Sequence, residues 1–409
     1  MNRPENLERD LAIWFADTAT PRVPVFTDDI LRLTAGMRQR PRWSFPERWL
    51  PMSVLTIGRQ TLKPLPWQRI GLLVVLALLL AAVAVYVGSQ PRLPAPFGLA
   101  ANGHVAYAHG GDIHTVDPIT GARQAIATGP EVDSEPRWAL DGTRLAFLRN
   151  SALGDALVVV DPTRPDTLVT TEAFIELDSD SVAWAPDGRS ISVRAQHEGS
   201  RAIFIVDVAS GEATPLAVET PDVDVYWRPP DGRQLMVVGG VEPDLRMYLL
   251  TLGDRSLEEV PLLPSAGPIR VSGWTSDGQR FVYQRGDYDH LPIKTHVLDL
   301  VTGKEVTIDV GFGHLSNDGT RMVALDNDQG LMCVVDLSGG PCVPVGQPSQ
   351  AYLWGHGAGA QWSPDDAWIL TRQISDDGET AALVDPDGAV LDQPSWISDG
   401  AVSWQRVAP

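Results

Sequence analysis

One short phrase recurs along most of this chain and constrains its fold more than any other feature. The copies are WALDGTRL (138–145), WAPDGRSI (184–191), WRPPDGRQL (227–235), WTSDGQRF (274–281), LSNDGTRM (315–322) and WSPDDAWI (362–369). Their turn aspartates, Asp141, Asp187, Asp231, Asp277, Asp318 and Asp365, are spaced 46, 44, 46, 41 and 47 residues apart. Each copy has the same physical grammar. The Trp closes a short strand and offers a large apolar plug. The Asp-Gly pair makes a tight turn, with Gly at positive φ and Asp bonding back to the backbone. An alternating strand follows, then a strand ending in Asp such as AIFIVD (202–207), then a Gly turn and an outer strand. Four strands per unit at a period in the forties predict an all-β propeller.

The ends of the array predict the blade count. Residues 103–126 supply three strands without a Trp strand, and AVSWQR (401–406) is a Trp strand with nothing after it. Joining them closes the ring and removes its exposed edges. Six complete units and one composite make seven blades, with six or eight as the alternatives. Two units depart from the pattern, with Leu315 in place of Trp and Asp366 in place of the turn Gly. Both substitutions are expected to weaken a blade without changing the fold.

The W-S-P-D-G-(R/K) units and their Asp-ending strands resemble the PD40 repeats of TolB-type β-propellers over roughly 97–409. The resemblance implies fold and says little of activity. Propellers of this repeat type often precede an α/β-hydrolase domain, but no G-x-S-x-G occurs here. Nor does the chain contain a P-loop, a dinucleotide fingerprint or H-E-x-x-H, so no cofactor is expected.

Charge divides the chain in two. Residues 1–69 carry a net +4 and residues 70–409 a net −24. The acidic majority argues against nucleic-acid binding. Between the halves runs IGLLVVLALLLAAVAVYVG (70–88), nineteen residues without a charge. As a helix this run spans ~28 Å, enough for one membrane crossing. It begins too far from Met1 for a cleavable signal peptide. Arg38, Arg40, Arg42, Arg48, Arg59, Lys63 and Arg69 precede it, whereas beyond Arg92 the next basic residue is Arg123. That asymmetry predicts a single-pass membrane protein with a cytoplasmic N-terminus and an extracytoplasmic propeller. The expected organisation is a docking segment (1–69), a transmembrane helix (70–88), a linker (89–98) and the propeller (99–409). Helical patterns at 5–16 and 27–38 and the aromatic, Pro-rich stretch 41–51 suit either a protein partner or the membrane surface.

Candidate binding residues lie just before the Trp strands. Glu131/Asp133/Glu135, Asp178/Asp180 and Asp222/Asp224 precede successive Trp strands, and Asp399 stands before Trp404. These connections fall at one mouth of a propeller channel, where they would form a negative arc able to hold a cation, a basic peptide or a protein partner. The alternative is carboxylates facing water. Later units place Arg270, His314 and His356 in the comparable region. His104, His109 and His114, and the Asp326-Asn-Asp328 stretch, lack the further ligands of a metal site and read as hairpin and turn. Cys333 and Cys342 fall on consecutive strands, opposite each other and within disulfide reach if the hairpin is centred between them. Two buried free thiols are the other reading.

The layout resembles single-pass bacterial regulators, including membrane anti-sigma factors, without their His-Cys-Cys zinc signature. It implies a sensor or regulator whose propeller binds a ligand or an envelope protein while residues 1–69 relay inside. A TolB-like envelope scaffold with an inert anchor is the second reading. An enzyme with its site at the propeller mouth is the third, and a non-enzyme is expected.

Overall fold

In the computed structural model, residues 67–89 and 93–409 are described, apart from 153, 175, 198–199, 219–222, 242–244, 263–267, 288–289, 329–330, 346–359, 376–377 and 393–401. The helical patterns at 5–16 and 27–38 and the 41–51 stretch lie outside these residues. The chain divides into two compact units, 1–90 and 91–409.

In the first unit, Trp67–Ser89 is a single helix of 23 residues that covers the uncharged run. Its described side chains, at 71–83 and 85, are all apolar, and Leu72, Leu78 and Leu80 are each more than 60% exposed. Among the described residues no helix is long and apolar enough to cross a membrane. The structure therefore shows a helix where a span is expected, not the span itself.

The second unit contains seven four-stranded sheets, and the expected seven blades are borne out. In chain order, blades 1 to 6 occupy residues 132–170, 177–215, 224–260, 269–308, 310–344 and 360–392. Blade 7 joins Val402–Val407 to three strands from 101–127. Its closing register sets Ala101 opposite Val407 and Tyr107 opposite Val402, antiparallel. The last strand thus completes the sheet begun by the first three and closes the ring.

The core lies between successive sheets. Ala106 and Ile113 of blade 7 pack with Trp138, Phe147 and Val158 of blade 1, and equivalent clusters recur around the ring. Phe147, Leu145 and Ile113 are fully buried, each stabilising by roughly 2 kcal/mol. A further bond ties the blades in sequence. The indole Nε1 of Trp184 donates to the Arg137 carbonyl, Trp274 to the Tyr226 carbonyl and Trp362 to the His314 carbonyl. Each acceptor is the residue just before the Trp, or its Leu315 equivalent, in the preceding blade. The repeat therefore sets a ring of residues around the channel: Arg137, Ala183, Tyr226, Gly273, His314, Gln361 and Ser403.

The Asp-Gly turns behave as the repeat predicts. Asp141 accepts from the Thr143 N–H at 3.0 Å, and Gly142 sits at φ 69°. A Cβ on Gly142 would fall 1.9 Å from the Arg406 carbonyl oxygen, so only glycine fits there. Asp366 keeps the positive φ, 56°, at the position where other blades carry Gly. The expected weakening has a counterweight there. Its carboxylate accepts from the Asn317 and Asp318 backbone N–H groups and from Asn317 Nδ2, each at 2.8 Å, tying blade 6 to blade 5.

Cys333 and Cys342 are joined by a disulfide with Cα atoms 5.4 Å apart. The register differs from the one expected, because Cys333 faces Pro344 and Val334 faces Val343. Cys342 therefore lies just outside the ladder, diagonal to its partner rather than opposite.

Candidate binding site at the channel mouth

Two mouths bound the channel. One carries the Asp-Gly turns, and the chain enters the propeller there: Ala100 N–H donates to the Pro364 carbonyl, and Arg406 Nη2 donates to the carbonyls of Ala95 and Gly98. The other carries the crossings from each outer strand to the next inner strand, where the acidic clusters lie.

At that second mouth the acids are ordered by arginines. Asp133 is 2% exposed and accepts two bonds from Arg149, Nε and Nη2, both at 2.7 Å. A bidentate pair this buried orients the strand crossing rather than offering a free carboxylate. Glu135, at φ 52°, reaches Arg137 at 3.3 Å. Asp178 is held by Arg194 through Nε and Nη2, and Asp224 of the next blade lies 2.7 Å from Nη1 of the same guanidinium. Asp180 donates its backbone N–H to Asp178. Asp222, Asp399 and His356 lie outside the described residues.

The charges on this ring shift its titration. Burial works to raise the Asp178 carboxyl, and Arg194 outweighs it, so the group stays below its ordinary value. Asp224 is raised, because burial outweighs Arg194. Burial and then the Asp224 charge push the Tyr226 hydroxyl far above its ordinary range. His314 is exposed, and it is lowered by the protein atoms around it and then by the Arg137 charge. Arg137 belongs to blade 1 and His314 to blade 5, so this effect acts across the ring. Arg270 acts on Asp224 and Tyr226 from blade 4.

The predicted negative arc is therefore a mixed network. Asp178, Asp180 and Asp224 stand with Arg194 and Arg270 in front of a ring that includes Arg137, Tyr226 and His314. Such a surface presents donors and acceptors in fixed positions, suited to a polar or charged partner. Among the described residues no group of three or more metal-ligating side chains is brought together. The hairpin histidines are used locally, with His114 stacked on Tyr107 at 5.5 Å and His104 beside Gln405. Asp326 accepts the Asp328 N–H in a turn, and Asn327 Nδ2 donates to the Ile293 carbonyl.

Sequence reasoning missed Arg149 and Arg194. A signal was present: each stands 16 residues after the acid it binds, in the strand that follows the Asp-Gly turn. It also missed a buried group in blade 4, where Glu305 accepts from the Tyr283 hydroxyl at 2.8 Å and lies 2.7 Å from His296 Nδ1. Those residues come from three strands and share no local motif.

The architecture defines a closed seven-bladed β-propeller. Neither a family profile nor a curated protein matches the sequence. Solved structures share the fold. An oligogalacturonate lyase in complex with manganese matches at TM-score 0.56 and 15% identity, covering 67% of this chain and 82% of its own. The β-propeller domain of the Trilobed protease from Pyrococcus furiosus matches at 0.52 and 14%, covering 75% and 98%. That domain has an open velcro topology, whereas here the terminal strands pair in blade 7. TolB from Acinetobacter baumannii is a looser match, at 0.46 and 14%, covering 76% and 81%.

Proposed function

We infer that this chain is a single-pass membrane protein whose extracytoplasmic propeller binds a ligand or an envelope protein and acts as a sensor, with residues 1–69 inside the cell. The observation that carries the binding role is the Asp178–Arg194–Asp224 bridge, which holds a polar surface rigid at the channel mouth opposite the point of chain entry. Proteins that bind other proteins through fixed charge pairs gain specificity and fast association from such surfaces. The anchor is supported by the uncharged 19-residue run within the helix Trp67–Ser89 and by the basic residues before it. The propeller is read as a binding module rather than an enzyme, a reading supported by the lack of a G-x-S-x-G, P-loop or H-E-x-x-H motif in the sequence.

Two experiments test this reading. Alkaline extraction of membranes should leave the full chain in the pellet, and protease added from outside should digest the propeller and spare the N-terminal segment. Release into the supernatant would remove the anchor from the reading. Replacing residues 1–69 with an unrelated basic anchor should abolish function in the cell. Retained function would leave a TolB-like scaffold as the better account.

A further inference from the structure

The half of the channel near the Asp-Gly turns holds a cavity of about 240 Å³. Trp138, Trp274, Trp362 and Trp404 line it, with Gln361 of the channel ring, Arg406 and the segment 96–98. Three of these lining residues carry a buried polar atom with no partner: Trp138 Nε1, Gln361 Oε1 and Arg406 Nε. They come from blades 1, 6 and 7, and Trp138 and Arg406 are only 7% and 8% exposed.

Each orphan departs from what surrounds it. The indoles of Trp184, Trp227, Trp274, Trp362 and Trp404 all donate to a protein acceptor, and Trp138 does not. Arg406 spends Nη1 on Asn317 Oδ1 and Nη2 on the Ala95 and Gly98 carbonyls, all of them neutral. The nearby Asp366 carboxylate is taken up by Asn317 and Asp318. Among the described residues Arg406 has no ion-pair partner, and a buried cation without one calls for an anion. The cavity therefore combines a guanidinium with no direct ion pair, its charge met only at a distance by Asp366, with a spare indole N–H and a spare amide oxygen between apolar ring faces.

We propose that this cavity is a binding site for a small carboxylate that also carries an amide N–H or a hydroxyl. The carboxylate accepts from Arg406 Nε and Trp138 Nε1, the ligand's donor meets Gln361 Oε1, and its apolar body lies against the indoles. Arg406 also holds the segment through which the chain enters the propeller, so ligand and entry segment share one residue. The site stands whether or not the chain is membrane-anchored.

The test is a titration of the full-length protein with N-acetyl-L-alanine, followed by calorimetry and by tryptophan fluorescence. N-acetyl-L-alaninamide serves as the uncharged counterpart and inorganic phosphate as the bare anion. Saturable binding of the acid is expected, with at least about a tenfold preference over the amide, because a site built around a charged partner rejects its neutral isostere. Phosphate should bind more weakly, lacking the apolar body. Gln361→Met and Trp138→Phe should each weaken the acid by about fivefold, with unchanged circular dichroism confirming the fold. No saturable binding at tens of millimolar, equal binding of acid and amide, or phosphate binding as tightly as the acid would overturn the proposal. So would full affinity in both folded variants. The acid-against-amide contrast needs no variant, so a variant that fails to fold leaves the test intact.

Discussion

Arg194 Nη1 lies 2.7 Å from the Asp224 carboxylate, and the two residues belong to different blades. The same guanidinium holds Asp178 in its own blade, so one side chain from a second strand clasps the inner strands of two neighbours. Arg194→Met keeps most of the packing and removes the clasp. It leaves two carboxylates facing each other, one of them 41% exposed and partly screened. The expected loss is about 1–3 kcal/mol, measured by urea unfolding, with any partner of the mouth bound more weakly. Unchanged stability and binding would mean that the clasp is incidental.

Asp366→Gly tests the departure from the turn pattern. Glycine relieves the positive φ, worth about 1 kcal/mol, and removes three bonds to Asn317 and Asp318. Each such bond contributes about 1 kcal/mol. A net destabilisation is therefore expected, seen as a lower urea midpoint. A gain in stability would show that the strain outweighs the bonds.

Reducing the Cys333–Cys342 bond opens a loop with a sequence separation of 9. The chain-entropy relation gives about 2.5 kcal/mol for a loop of this size. The urea midpoint should fall on adding reductant, and Cys333→Ser should show the lower midpoint with or without it. A midpoint indifferent to reductant would argue that the thiols are free in solution.

Stability should fall in acid. Backbone N–H bonds hold the Asp117, Asp207 and Asp299 carboxyls below their ordinary range. A depressed folded value stabilises above the unfolded pKa of about 3.9, and that contribution is lost as pH falls through the folded value. Asp224 and Asp366 are raised by burial and act the other way, but the depressed group is the larger. Thermal melts should be flat from pH 7 to about 5 and decline below about 4. A melting temperature that rises on acidification would reverse this assignment.

Truncating Trp404 to Ala tests closure. Trp404 is 4% exposed and packs with Val105, Tyr107 and Val116, which are nearly three hundred residues away in sequence. The expected cost is about 3–5 kcal/mol, read from the denaturation midpoint.

Much of the architecture is legible in the sequence. The Trp strand, the Asp-Gly turn and the outer Asp turns each depend on neighbours a few residues away, and the regular period reported how many times the unit recurs. Glycine at 142 and the turn aspartates could be read because positive φ and Asp-to-backbone bonds are local demands. The acidic positions were legible too, but their state was not. Asp133 and Asp178 are partnered from the second strand of their own blade, and Asp224 from the blade before it. The channel cavity was invisible, because Trp138, Gln361 and Arg406 meet only after the last strand pairs with the first. By itself the sequence determined the repeating unit, its turns and the closed ring, since these follow from backbone geometry and the alternation of apolar residues along single strands. Only the tertiary structure decided which charges are neutralised and where a polar cavity remains, because ring closure brings side chains hundreds of residues apart within hydrogen-bonding distance.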